Sequence, residues 1–202
     1  MNAIYYLGGS PCAGKSSVAE LLAASYGLCH VRLDDRFGEH MAVASPAAQP
    51  VLASIALASC DDIWMIPPLA QVRREIQIYV EEFPLHLHDI AGLKEPLLLE
   101  GAALLPCLVA PRIKYPARAI YMVPSAGFQR EHYARRPWIH DVVRNCNNPA
   151  QAFDNWMRRD ELFARWVRRE AAKYGMHTLM VDGSLTISDT AKMVARWFGL
   201  NL

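Results

Sequence analysis

A chain of 202 residues with 52% hydrophobic and 20% charged side chains can bury a substantial core, and it suits one globular domain. No apolar run is long enough to span a bilayer, and neither an internal repeat nor a low-complexity segment is visible. The net charge of +1 conceals a split: 6 basic against 12 acidic side chains in residues 1–111, 13 against 6 in residues 112–174, and 2 against 2 in residues 175–202.

The apolar, β-prone run Ala3–Leu7 predicts a first strand beginning almost at Met1, which leaves no room for a signal peptide. It leads into Gly9-Ser10-Pro11-Cys12-Ala13-Gly14-Lys15-Ser16, a complete G-x-x-x-x-G-K-[ST] phosphate loop, followed by the helix-prone Ser17–Ala24. Strand, loop and helix come in the order that the chemistry requires. Glycines let the backbone approach a polyphosphate, and amides at a helix N-terminus hold its charge. Lys15 is expected to reach the β- and γ-phosphates of ATP, and the Ser16 hydroxyl to take a place on Mg²⁺.

Four further β-prone runs follow, Leu28–Leu33, Pro96–Leu99, Arg118–Val123 and His177–Val181, with helical patterns between them. That alternation predicts an α/β fold on a mainly parallel sheet. Ligands of such sheets sit outside the carboxyl ends of the strands, so Asp34-Asp35, Glu100-Gly101 and Asp182-Gly183 become candidate site residues. Asp34 or Asp35 can accept or orient an acceptor's hydroxyl proton; capping of the next helix is the competing reading. Glu100 can hold Mg²⁺ through a water or contact the acceptor.

Residues 37–95 contain Pro46, Pro50, Pro67, Pro68 and Pro84, which predicts several short helices rather than one long one. With 3 basic against 8 acidic side chains, this segment argues against a polyanionic acceptor. Trp64, Phe83, His86 and Asp89 are candidate lining residues of an acceptor pocket, while His86 and His88 at i, i+2 make no metal pair on a helix. Arg130, Arg135 and Arg136 lie in an arginine-rich stretch suited to bidentate phosphate contact, with a solvated helix face as the alternative. Beyond Asn145–Pro149, the residues Phe153, Trp156, Met157, Phe163, Trp166, Val167 and Tyr174 recur at helical spacing and read as core packing of one long helix. On that helix Arg158, Arg159, Arg165, Arg168 and Arg169 read as a solvated face, with Arg158 and Arg159 near enough to the arginine-rich stretch to stand in reserve as phosphate contacts. The five cysteines are scattered without a C-x-x-C pair, which predicts reduced thiols in a cytoplasmic protein.

The phosphate loop, the acidic end of the second strand, Leu99-Glu100-Gly101 on the third and the arginines after the fourth together resemble the P-loop small-molecule kinases. That group includes adenylate-type, shikimate and gluconate kinases and the phosphotransferase acting on chloramphenicol. Gly8-Gly9-Ser10 and Leu33–Met41 look more like the antibiotic phosphotransferase than like a nucleotide kinase. The resemblance implies a single domain over residues 1–202, a P-loop three-layer sandwich with a five-stranded parallel sheet in the order 2-3-1-4-5. It also implies an acceptor-binding insertion at 37–95, a lid at about 125–149, and contact of Asp182-Gly183 with adenine. Leu33-Asp34 matches the single aspartate of the related phosphotransferases, which favours Asp34 as base and as a group near the metal; Glu100 stands where the family more often has aspartate.

The implied activity is ATP-dependent, Mg²⁺-assisted phosphoryl transfer to a hydroxyl of a neutral or cationic small molecule. A nucleotide or nucleic-acid 5′-end kinase is the enzymatic alternative, and a non-catalytic nucleotide-gated switch is the alternative outside enzymes. The acidic acceptor segment speaks against nucleic acid as the partner, and nothing points to a membrane.

Overall fold

A computed structural model describes residues 4–200, so Ala3, which the sequence assigns to the first strand, lies outside the described residues. Five strands, β1 (Ile4–Gly9), β2 (Cys29–Arg32), β3 (Leu97–Glu100), β4 (Ala119–Pro124) and β5 (His177–Val181), pair in parallel in the order β2-β3-β1-β4-β5. The helices are α1 (Lys15–Tyr26), α2 (Phe37–Val43), α3 (Pro50–Ile55), α4 (Cys60–Trp64), α5 (Pro68–Asp89), α6 (Pro106–Val109), α7 (Ala126–Ala134), α8 (Ile139–Val143), α9 (Pro149–Lys173) and α10 (Ile187–Phe198).

The three central strands are apolar on both faces because each face is covered. Successive side chains point to opposite sides of a strand, so Tyr6, Leu97, Leu99, Tyr121 and Val123 join Phe163 and Val167 of α9 in one core. Tyr5, Leu7, Leu98, Ile120 and Met122 meet α1 and α10 on the other side. The result is the predicted three-layer sandwich. Register places Leu7 opposite both Glu100 of β3 and Ile120 of β4, which brings the carboxyl end of β3 beside the phosphate loop. A third, smaller cluster gathers Tyr133, Ile139, Val143, Trp156 and Met157 around α7, α8 and the start of α9.

Three expectations are corrected. Leu33–Arg36 forms a 3₁₀ turn, so Asp34 and Asp35 follow β2 on a turn rather than ending it as a strand. The 37–95 segment is not uniformly short-helical: α5 runs for 22 residues with Pro84 inside it. Pro84 lies on the exposed face, where water can serve the carbonyl left without an N–H partner. Cys60 and Cys146 form a disulfide with a Cα–Cα separation of 5.0 Å, so only Cys12, Cys29 and Cys107 are free thiols. No C-x-x-C pattern announces that pair because its members are 86 residues apart. Among the described residues no helix is long and apolar enough to cross a membrane.

Candidate active site

The phosphate loop joins β1 to α1 with geometry that its glycines permit. Gly9 sits at φ 132°, and a Cβ there would lie 1.9 Å from the Met122 carbonyl oxygen, so only glycine fits against β4. The Ser10 amide donates to that same carbonyl at 3.1 Å, pinning the loop to β4. Pro11, Cys12 and Ala13 form the turn, in which Cys12 takes a left-handed backbone conformation at φ 66°. Gly14, left-handed as well, starts α1 with no side-chain cap, which leaves the first amides of the helix to a ligand. Lys15 is buried and its ammonium donates to the Ser10 carbonyl at 3.0 Å, inside the loop. Ser17 lies on the exposed side of α1.

The acidic groups close the site from β3 and the 3₁₀ turn. Glu100 is buried, and burial pushes its carboxyl pKa up; Lys15 and the Ser16 hydroxyl pull it back, while Asp34 raises it further. These four residues therefore share one electrostatic environment. Asp34 Oδ1 accepts from the Ala102 amide at 2.9 Å, and a Cβ on Gly101 would come within 2.7 Å of that oxygen. Gly101 is thus required for the carboxylate to lie against β3. Asp35 turns away to an exposed pair with Arg32 at 3.3 Å, which separates the two aspartates as strand-end alternatives.

The three arginines separate just as clearly. Arg130 pairs with Asp154 at 2.8 Å and Arg135 with Glu131, both on exposed surface. Arg136 is half-buried: its guanidinium reaches the Cys12 sulfur at 3.7 Å and stacks on Tyr133 and Trp138 at 4.9 and 5.5 Å. Of the candidates, it alone stands against the phosphate loop.

Sequence reasoning missed Arg159. It is buried, bound to Glu75 and Asp160 at 2.6 Å each, with its guanidinium 5.3 Å from the Trp64 ring. Burial opposes the Arg159 charge, and Asp160 and Glu75 more than offset it. Burial also raises the Asp160 carboxyl to about 6 against the pull of Arg159. The Asp160 carbonyl accepts from Ser10 Oγ at 3.4 Å, which ties α9 to the phosphate loop, and Tyr79 donates to Glu75 at 2.6 Å. Helical phase would have found this group: 159 and 160 fall between Trp156 and Phe163 on the inward stripe of α9. Trp64 stacks on Trp156 with centroids 4.5 Å apart and so forms one wall beside Arg159.

Asp182 and Gly183 make an exposed turn in which Asp182 accepts from the Ser184 amide at 2.9 Å. Gly183 lies beside the Phe128 ring and Ile187 beside Gly14, so the turn borders the phosphate loop. Phe83, His86 and Asp89 do not line one pocket. Phe83 packs in the core beneath Arg112, whereas His86 and Asp89 meet His40. A cavity of about 750 Å³ lies between α9 and the ends of β4 and β5, and no phosphate-loop residue lines it.

No family model matches the sequence, and no curated protein matches it significantly. Solved structures do. TT1252 from Thermus thermophilus aligns over 100% of this chain and 99% of its own, at 14% identity and a TM-score of 0.54. An uncharacterized protein from Eubacterium ventriosum aligns over 100% of both chains at 11% identity and a TM-score of 0.51. A gluconokinase from Sinorhizobium meliloti aligns over 98% of this chain and 91% of its own, with 14% identity and a TM-score of 0.44, a likeness too loose to bear on activity. The strand order, the phosphate loop after β1 and helices on both faces of the sheet give this chain a P-loop three-layer α/β sandwich.

Proposed function

We propose that this protein is an ATP-dependent kinase that transfers the γ-phosphate to a hydroxyl of a neutral or cationic small molecule. The observation that carries this reading is the convergence of Lys15, Ser16, Glu100 and Asp34 at the carboxyl ends of β1 and β3, where α1 begins. A nucleotide switch also holds its metal with one carboxylate; a second one beside the cradle, Asp34, is what gives a kinase a group to take the acceptor's proton.

Transfer forms a bond from the acceptor oxygen to the γ-phosphorus and breaks the bond to the bridging oxygen of ADP. The loop amides and Lys15 hold the phosphates in line and neutralise the leaving group. Asp34 accepts the hydroxyl proton, its orientation fixed by the Ala102 amide. Arg136 contacts the loop at the Cys12 sulfur, and from there it would neutralise charge that develops on the transferring group. The buried Glu100 carboxylate facing the Ser16 hydroxyl suits Mg²⁺, which would supply further charge neutralisation on the β- and γ-oxygens.

Two cations near the site are already engaged, which supports the reading of the acceptor's charge. Arg159 is neutralised by Glu75 and Asp160, and Arg74 donates to the carbonyls of Asp62 and Ile63 at 2.7 and 2.6 Å. In a segment with an excess of five acidic side chains, that favours an uncharged or positively charged acceptor over a nucleotide. A pooled screen of alcohols, aminated sugars, nucleosides and antibiotics with Mg·ATP, read by ³¹P NMR, tests the reading. A new phosphoester with matching ADP, lost in Lys15→Ala, is expected. Mg·ATP binding without any phosphoester across the pools would refute it.

A further inference from the structure

Away from the phosphate loop, His40 of α2 meets Glu82, His86 and Asp89, which lie on one face of α5 at i, i+4 and i+7. His40 Nδ1 stands 2.9 Å from Glu82 Oε1, and its Nε2 stands 2.8 Å from Asp89 Oδ2. His86 Nε2 is 3.5 Å from the same Glu82 oxygen, and the two imidazole centroids are 4.6 Å apart. One ligating atom from each of His40, His86 and Asp89 lies within 4.8 Å of the other two.

We propose that His40, His86 and Asp89 bind one divalent transition-metal ion of the zinc type, with Glu82 orienting the imidazoles. A neutral imidazole that donates Nδ1–H to Glu82 turns a bare Nε2 lone pair toward a carboxylate oxygen 2.8 Å away, two acceptors with nothing between them. A proton on Nε2 would cure that contact alone. It does nothing for His86, only 1% exposed, neither of whose ring nitrogens has a hydrogen-bond partner. A cation between the three groups satisfies both histidines at once. Ligand atoms around a tetrahedral zinc ion lie about 3–4 Å apart, so the observed spread closes with small side-chain rotations. Glu82 then holds the place of the carboxylate that accepts the far N–H of a ligating histidine.

Two imidazoles and one carboxylate select zinc, cobalt or nickel over magnesium, which sets this site apart in chemistry as well as position from the Ser16–Glu100 pair. The Asp89 side chain is 30% exposed, which leaves a path from solvent and room for a water as fourth ligand. The ion would clamp α2, which follows directly on the turn bearing Asp34, to the carboxyl end of α5.

The test is Co²⁺ titration of the full chain after EDTA treatment, without nucleotide, followed by visible absorption and then by competition with Zn²⁺. One equivalent of Co²⁺ giving d–d bands, displaced by Zn²⁺, is expected. Lys15→Ala should titrate identically, Glu82→Gln should bind about 10- to 100-fold more weakly, and His86→Ala should bind no Co²⁺. Should His86→Ala fail to fold by circular dichroism, the more exposed Asp89→Asn serves in its place, with at least a tenfold loss expected. Absence of stoichiometric Co²⁺ uptake would mean an imidazolium bridge alone and would overturn the proposal. So would a thiolate charge-transfer band, which would place the ion on Cys12, Cys29 or Cys107, or undiminished binding in the variants.

Discussion

Replacing both Cys60 and Cys146 by serine removes the one covalent link between α4 and the chain that follows α8. The bond closes a loop of 86 residues, for which the chain-entropy account gives about 4.5 kcal/mol of destabilisation on its loss. Native contacts at this seam survive the change: the Asn147 amide still donates to Asp61 at 2.9 Å, and Trp64 still stacks on Trp156. The loss should therefore act through the unfolded chain, with the native fold intact. With a urea m-value of about 2 kcal/mol per molar, the unfolding midpoint should fall by about 2 M at unchanged m. Dithiothreitol should move the unmodified protein to the same midpoint and leave the variant unaffected. A non-reducing thiol titration in denaturant should count three free cysteines. Five thiols, or equal midpoints for the variant and the unmodified protein, would refute the reasoning.

Arg136→Ala should lower turnover on the order of 10³-fold with little change in Mg·ATP affinity, whereas Arg135→Ala should leave both within about threefold; steady-state kinetics with the acceptor found by screening decides. Arg159→Ala leaves Asp160 buried without its cation and should cost about 3–5 kcal/mol in urea unfolding, while the double change Arg159→Met, Asp160→Asn should recover part of that loss. The raised Glu100 carboxyl protonates above the ordinary carboxylate range, so calorimetric Mg²⁺ affinity in the presence of nucleotide should fall as pH drops through that raised value. The apo protein should respond with the opposite sign. Its Glu100 contribution to stability is full below the ordinary carboxylate value and is lost as pH rises through the raised one, a slope that Glu100→Gln removes.

Much of this arrangement is legible in the residues. A phosphate loop between an apolar strand and a helix, with strands ending in Asp or Glu, is a local pattern, and local patterns specify which atoms a sheet presents at its carboxyl edge. The choice between Asp34 and Asp35 is different in kind. It depends on a 3₁₀ turn and on an amide 68 residues away at Ala102, and neither leaves a trace near the aspartates. The same holds for Arg136 against its neighbours: three arginines in one stretch look alike until Glu131 and Asp154 claim two of them. Arg159 is the instructive case, since its position in phase with Trp156 and Phe163 was readable and only its charge argued for the surface. A buried arginine demands partners, and Asp160 beside it supplies only one; the second, Glu75, comes from α5, which the proline count had broken up. Short helices across 37–95 would part Glu75 from Glu82, His86 and Asp89, whereas one continuous α5 carries both the partner of Arg159 and the face that unites the other three. A proline inside a helix loses one hydrogen bond and presses its ring on the preceding turn, at about 3 kcal/mol, so it need not end a helix whose apolar face is well packed. The apolar phase of α5, carried by Val72, Ile76, Tyr79 and Phe83 at steps of three and four, was the better guide to its length.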